Sequence, residues 1–158
     1  MTARHPLLRG ALRLGRRSAL PLAVLLSACA TQTVSSTGGG SGMAGTSPLQ
    51  SVERFLVAVN AHDLDNMAAL FGTRDGPFQG NRAEIEIQMD ALATILSHQA
   101  YEIVSERQVP GRQDPTTRVG VTLTIDGEVY PDVSFVTVRT GQGRWMVQEI
   151  DVERLTGG

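Results

Sequence analysis

The chain contains a single cysteine, Cys29, and no lysine. One thiol excludes an intramolecular disulfide, so the folded part must be held by an apolar core. The missing lysine points to a high-GC genome and carries no functional meaning. Only three histidines occur, His5, His62 and His98, and no two stand at metal-ligand spacing. There is no glycine-rich phosphate loop, no Gly-x-Ser-x-Gly elbow and no internal repeat. The apolar segment Ala19 to Ala28 (ALPLAVLLSA) is ten residues long, and a membrane-spanning helix needs about 20. These absences leave no motif for a metal or another cofactor, and the sequence nominates no catalytic residue.

What is present begins with a leader. Arg4, Arg9, Arg13, Arg16 and Arg17 form a basic start without an acidic residue, and the short apolar segment follows. That order and length suit a cleaved export signal. Leu26-Ser27-Ala28-Cys29 closes it, with two small residues before the cysteine. The stretch resembles the lipobox of bacterial lipoproteins. The resemblance implies a diacylglyceryl thioether on Cys29, removal of residues 1–28 between Ala28 and Cys29, and acylation of the new amino terminus by a chain of the palmitate kind. Two or three acyl chains satisfy the rule that stable anchoring needs more than one. Arg16-Arg17-Ser18-Ala19-Leu20 is also similar in part to a twin-arginine export motif. Sec and twin-arginine export therefore both stay open. Ala30, rather than Asp, follows the cysteine. In a two-membrane organism this resembles the class sorted to the periplasmic face of the outer membrane; with one membrane, the protein sits on the outer face of the cell.

Removing the leader changes the charge. Nine of the 14 arginines and all 16 acidic residues remain, so the formal charge moves from −2 to −7. Such a chain is a poor binder of nucleic acid or of an anionic lipid surface through charge. Thr31 to Ser47 has 13 Gly, Ser or Thr among 17 residues. Residues 29–47 read as the lipidated cysteine and a flexible tether with a reach of roughly 20–25 Å. Residues 48–158 are enough for one domain.

Within that domain the pattern predicts helices, then strands, hence α+β with an antiparallel sheet. Ser47 caps a first helix with Pro48 at its first position and Gln50 completing a capping box. Val52, Phe55, Leu56 and Val59 form its apolar stripe. Asp63 caps a second helix carrying Leu64, Met67, Ala68 and Phe71, with Gly72 at its stop. Thr73 to Gly80 reads as a turn-rich loop. Asn81 and Glu84 open a third helix in which Ile85, Met89, Leu92 and Leu96 share a face. Four strands follow, at Tyr101–Val109, Thr117–Ile125, Val129–Arg139 and Arg144–Val152. Asp126-Gly127 looks like a two-residue turn, yet that register alone sets Val121 against Asp132. Pairing Val121 with Val133 and Val119 with Phe135 matches apolar residues on one face. This favours a three-residue loop, Asp126-Gly127-Glu128, or an equivalent bulge near Pro131. In that register Tyr130 and Asp132 face away from Val133 and Phe135.

The run from Ser51 to Phe71 (SVERFLVAVNAHDLDNMAALF), followed at the far end by Gly143-Arg144-Trp145-Met146-Val147, resembles the nuclear transport factor 2-like superfamily. The resemblance spans Pro48 to about Val152. It implies three N-terminal helices packed on a curved antiparallel sheet of about four strands, cone-like, with a pocket at the wide end. It also implies a homodimer through the sheet as a common assembly. Val136 and Val138, opposite Val133 and Phe135, either join such a contact or sit under a loop. Ketosteroid isomerases, polyketide cyclases and many non-catalytic modules share the fold, so membership sets shape better than activity.

An acid–base enzyme on this fold needs a carboxylate with a tyrosine or histidine in the pocket. Tyr101, Tyr130, Asp132, His98 and Glu149 are the available groups, and each has an ordinary structural role open to it. His98 lies near a helix C-terminus, where it suits the dipole. His62 sits in the interhelical break and Asp63 is occupied as a cap. Trp145 reads as a core or pocket-wall anchor. The expected function is therefore that of a membrane-anchored envelope lipoprotein whose domain binds a small apolar ligand or an envelope protein without catalysis. The alternative is an acid–base pocket enzyme of the isomerase, cyclase or hydratase type.

Overall fold

In the computed structural model the described residues are 44–157. Leader, Cys29 and most of the expected tether lie outside them. The described chain is α+β, with three α-helices, a four-stranded antiparallel sheet and a two-stranded sheet. Helix α1 spans Pro48–Asn60 and α2 spans Leu64–Leu70. A small hairpin of β1 (Gly72–Thr73) and β2 (Gly76–Pro77) follows, within the stretch expected to be a loop. Helix α3 spans Arg82–Leu96. Strands β3 (Ala100–Gln108), β4 (Thr116–Ile125), β5 (Glu128–Arg139) and β6 (Trp145–Ile150) pair in sequence order, and a short 3-10 helix (Glu153–Leu155) ends the fold.

The helix starts follow their caps. Ser47 Oγ accepts from Gln50 N at 3.2 Å and Asp63 Oδ1 accepts from Asn66 N at 3.1 Å. Gln50 does not return to Ser47 as a capping box requires; its Oε1 accepts from the amide and hydroxyl of Thr46 at 2.8 and 3.0 Å. Helix α1 ends in a Schellman motif, with His62 N bonded to Val59 O and Asp63 N to Ala58 O. His62 occupies the left-handed position (φ 52°) where glycine is usual.

The core sits between the helices and one face of the sheet. Val52, Phe55, Leu56 and Val59 of α1, Met67 of α2 and Met89 and Leu96 of α3 pack with Val119, Val121, Leu123, Val133, Phe135 and Val147. We call this sheet face inner. Ile85 and Leu92 are only partly buried and Ile87 is 71% exposed, so the outer flank of α3 is the thin side of the core.

The β4–β5 register pairs Val119 with Phe135 and Val121 with Val133, as the apolar matching requires. It does so through the bulge and not the three-residue loop. Asp126 (φ 51°) and Gly127 (φ 81°) form a two-residue turn between the paired Ile125 and Glu128. One extra residue of β5 is then taken up between Tyr130 and Val133, where Asp132 adopts φ 53°. The inserted residue shifts parity. Tyr130 becomes the partner of Leu123 and packs against the core, contrary to the expectation that it faces away.

Gly45, ahead of Pro48, also joins the fold. Gly45 forms an antiparallel bridge to Trp145, whose N–H bonds Gly45 O at 2.9 Å, and buried Ser51 donates from its hydroxyl to Trp145 O. Phe71 bridges Val147 from the other direction of the chain. Together they occupy the outer edge of β6 that would otherwise expose unpaired backbone groups. A side chain on Gly45 is excluded, because its Cβ would stand 2.5 Å from Ser51 N and 3.0 Å from Gln50 C in the first turn of α1.

Candidate functional site

Register carries the inner face from apolar to polar along the strands. Leu123–Tyr130, Val121–Val133 and Val119–Phe135 are successive apolar pairs, followed by Thr117–Thr137 and then Arg139–Trp145. On β3 the same face ends in Glu106, partner of Val119, and Gln108, partner of Thr117. Past the start of α1 no helix among the described residues covers these last rows. There the inner face opens into a groove of about 780 Å³, walled by Pro48, the β3–β4 loop and half-buried Trp145, with Gln108, Thr117 and Arg139 on its lining. Thr137 beneath it is fully buried and satisfied, its hydroxyl donating to Thr117 O at 3.0 Å.

The β3–β4 loop is held over this end by polar contacts. Arg139 N bonds Pro115 O at 2.9 Å, Arg74 Nη1 pairs with Asp114 at 2.9 Å, and Thr116 Oγ1 donates to Asp114 O at 2.9 Å. Arg112 reaches across to Glu149, 3.2 Å from its Nη2. Glu149 is the register partner of Val136, so the loop crosses the outer face where Val136 and Val138 are buried (6% and 3% exposed).

The other nominated groups do not converge. His98 is 9% exposed and serves as a junction. Its N–H donates to Asn60 Oδ1 at 3.1 Å, its carbonyl accepts from Asn60 Nδ2 at 3.0 Å, and its ring nitrogens meet Leu96 O and Asn60 Nδ2 at 2.9 and 3.2 Å. With an amide donor at Nε2, the ring proton belongs on Nδ1, facing Leu96 O. His98 thus ties the end of α1 to the α3–β3 junction, and Tyr101 stacks edge-on against it at 5.5 Å. Asp132 lies exposed on the outer face, its carboxylate over Gly120. Glu149 is committed to Arg112, and Asp63 to its cap.

His62 meets a partner that the sequence did not suggest. Its Nε2 lies 3.0 Å from Asp90 Oδ1 on α3, and His62 also lines a second open cleft of about 690 Å³ together with Leu64, Ala68 and Ile85. Among the described residues no group of three or more His, Cys, Asp or Glu is placed to hold a metal ion. No buried side-chain nitrogen or oxygen among them lacks a hydrogen-bond partner.

Both tyrosines of the chain are held in the neutral form. Burial, then the Glu53 carboxylate, raises Tyr101 above its ordinary value near 10. At Tyr130 the hydrogen bond to Glu128, at 3.1 Å, is the main cause of an upward shift. A folded-state value above the unfolded one contributes stability in full below the unfolded pKa and loses it as pH rises through the folded value. Ultraviolet titration is thus expected to show both phenols ionising above pH ~10 in the folded chain and near ~10 in denaturant. Ionisation of both at the unfolded value in the native chain contradicts the two contacts.

The groove was missed in the sequence because Gln108, Thr117 and Arg139 look like ordinary polar strand residues. For Thr117 and Arg139 the available signal was parity, since each belongs to the set that is apolar further along its strand; on β3 the bulge between Ile103 and Ser105 breaks that parity for Gln108. The site residue expected at Cys29 lies outside the described residues. No family model, curated protein or solved structure matches this chain.

Proposed function

We propose that the chain is an envelope lipoprotein, anchored through lipid on Cys29, whose cone-like domain of the nuclear transport factor 2 type holds a partner without catalysing a reaction. The observation that carries this reading is the filling of the inner sheet face. Val119, Val121, Leu123, Val133 and Phe135 are fully buried against the helices, and Glu106, the carboxylate beside Val119 on the same face, stands exposed at its open end and not among them. An acid–base enzyme of the enclosed-pocket kind needs a polar group in such a space. The accessible end of the face is instead the open groove beside Trp145 and Arg139. Its mixed lining suits a segment of an envelope protein better than a small apolar ligand, which requires a closed apolar cavity.

Native mass spectrometry of the protein purified from its own membrane tests this. The expected species lacks residues 1–28, carries acyl mass on Cys29 and retains a protein partner that Trp145→Ala or Arg139→Ala releases. An intact leader or an unmodified Cys29 refutes the anchoring. Retention unaffected by either groove substitution refutes the assigned surface.

A second reading rests on the His62–Asp90 pair, whose His62 lines the cleft beside α2 and α3. A carboxylate that orients an imidazole is the arrangement of a general base. It is favoured over the first reading if a retained small molecule is converted by the wild-type chain and not by His62→Ala.

A further inference from the structure

Arg107 of β3 and Arg118 of β4 are direct partners in the sheet. Direct partners share a face with Cβ atoms about 5 Å apart. Arg118 is also the partner of Val136, and Val136 of Glu149, so both arginines stand on the outer face. Both are exposed. The ion pairs among the described residues engage Arg74, Arg82, Arg112, Arg154 and His62, and neither Arg107 nor Arg118. Glu149, the acid in the same row, is taken by Arg112. Asp132, one row away, lies over Gly120 beside the hydroxyl of Ser105 and pairs with neither arginine.

Like charges directly opposite each other destabilise a sheet. This pair persists in a chain whose acidic residues outnumber its basic ones. Guanidinium groups donate in planar forks that match phosphate oxygens, and such charge-assisted bonds are about twice as strong as neutral ones. We propose that Arg107 and Arg118 form an anion site for a phosphate monoester or diester group. Each fork donates to separate phosphate oxygens. The group comes either from a soluble phosphate compound or from a phospholipid headgroup. The site is independent of the groove and of the partner proposed for it.

The test uses the full chain in low-salt buffer with inorganic phosphate as probe. Phosphate is expected to raise the melting temperature by several degrees beyond chloride of equal ionic strength, and R107Q/R118Q to abolish that difference. Without phosphate, R107Q/R118Q is expected to melt higher than wild type at low salt and equally at high salt, because it removes a screened repulsion. Where the double variant does not fold, R118Q alone is expected to weaken phosphate binding about tenfold by calorimetry, the loss of one charge-assisted contact. Equal responses to phosphate and chloride, or a variant that responds as wild type does, overturn the site. Vesicles with and without phosphatidylglycerol separate the sources. Loss of the phosphate response on anionic vesicles identifies the headgroup, and its persistence identifies a soluble anion; both support the site.

Discussion

On the proposed lipoprotein reading, Cys29→Ser abolishes acylation and, with it, cleavage after Ala28. A serine hydroxyl does not replace the thiolate as nucleophile for the thioether, and the lipobox resemblance places cleavage after lipid addition. The expected product is the unprocessed chain of 158 residues without acyl mass. Its hold on the membrane then falls to the ten-residue apolar segment Ala19 to Ala28, about half the length a spanning helix needs. Among the described residues no helix is long and apolar enough to cross a membrane. Each buried CH₂ of an acyl chain contributes about 0.8 kcal/mol, so losing a chain of about sixteen carbons removes about 12 kcal/mol of membrane affinity. Intact mass and alkaline extraction of membranes check this. A Cys29→Ser chain that is still cut after Ala28 and still resists extraction removes the basis for lipid anchoring.

Phe135→Ala is expected to destabilise the domain by about 3–5 kcal/mol. Phe135 is the largest fully buried side chain of the inner face and pairs across the sheet with Val119 and Ile150. Its neighbours come from both the strands and the helices, so the cavity left by truncation has little freedom to collapse. Domains of this size have total stabilities of about 5–15 kcal/mol. The loss is therefore about a fifth of the whole or more, and at the low end of that range the variant is expected to be partly unfolded at physiological temperature. Val129→Ala is the control on the same strand. Val129 is 59% exposed, and its replacement is expected to stay within about 0.5 kcal/mol. Urea denaturation of both variants measures the difference. A Phe135→Ala loss below about 1 kcal/mol contradicts the placement of the core on this face.

The legible parts of the sequence share a property. The caps at Ser47 and Asp63 act over three residues, and the apolar stripe of α1 repeats over one helical turn. Such short-range chemistry survives any tertiary context. The β4–β5 register was legible too, because pairing valine with valine on a half-buried sheet fixes the register while the turn keeps its own preference. How the register is reached was not. The choice between a longer loop and a bulge depends on whether Asp132 tolerates a left-handed backbone. The parity change at that bulge turned Tyr130 to the core face. The short β1–β2 hairpin was hidden for a related reason, since two-residue strands carry no period to read.

Cys29 with its small preceding residues, the charge imbalance, the helix caps and the alternation of the strands belong to the sequence by itself, because each is written within a few neighbouring residues. The closure of the β6 edge by Gly45, the bond of Asn60 to His98, the meeting of His62 with Asp90 and the facing of Arg107 with Arg118 were decided by tertiary structure alone. Each joins residues far apart in the chain or on separate elements. Local propensity is blind to such pairs, and only packing and strand register bring them together.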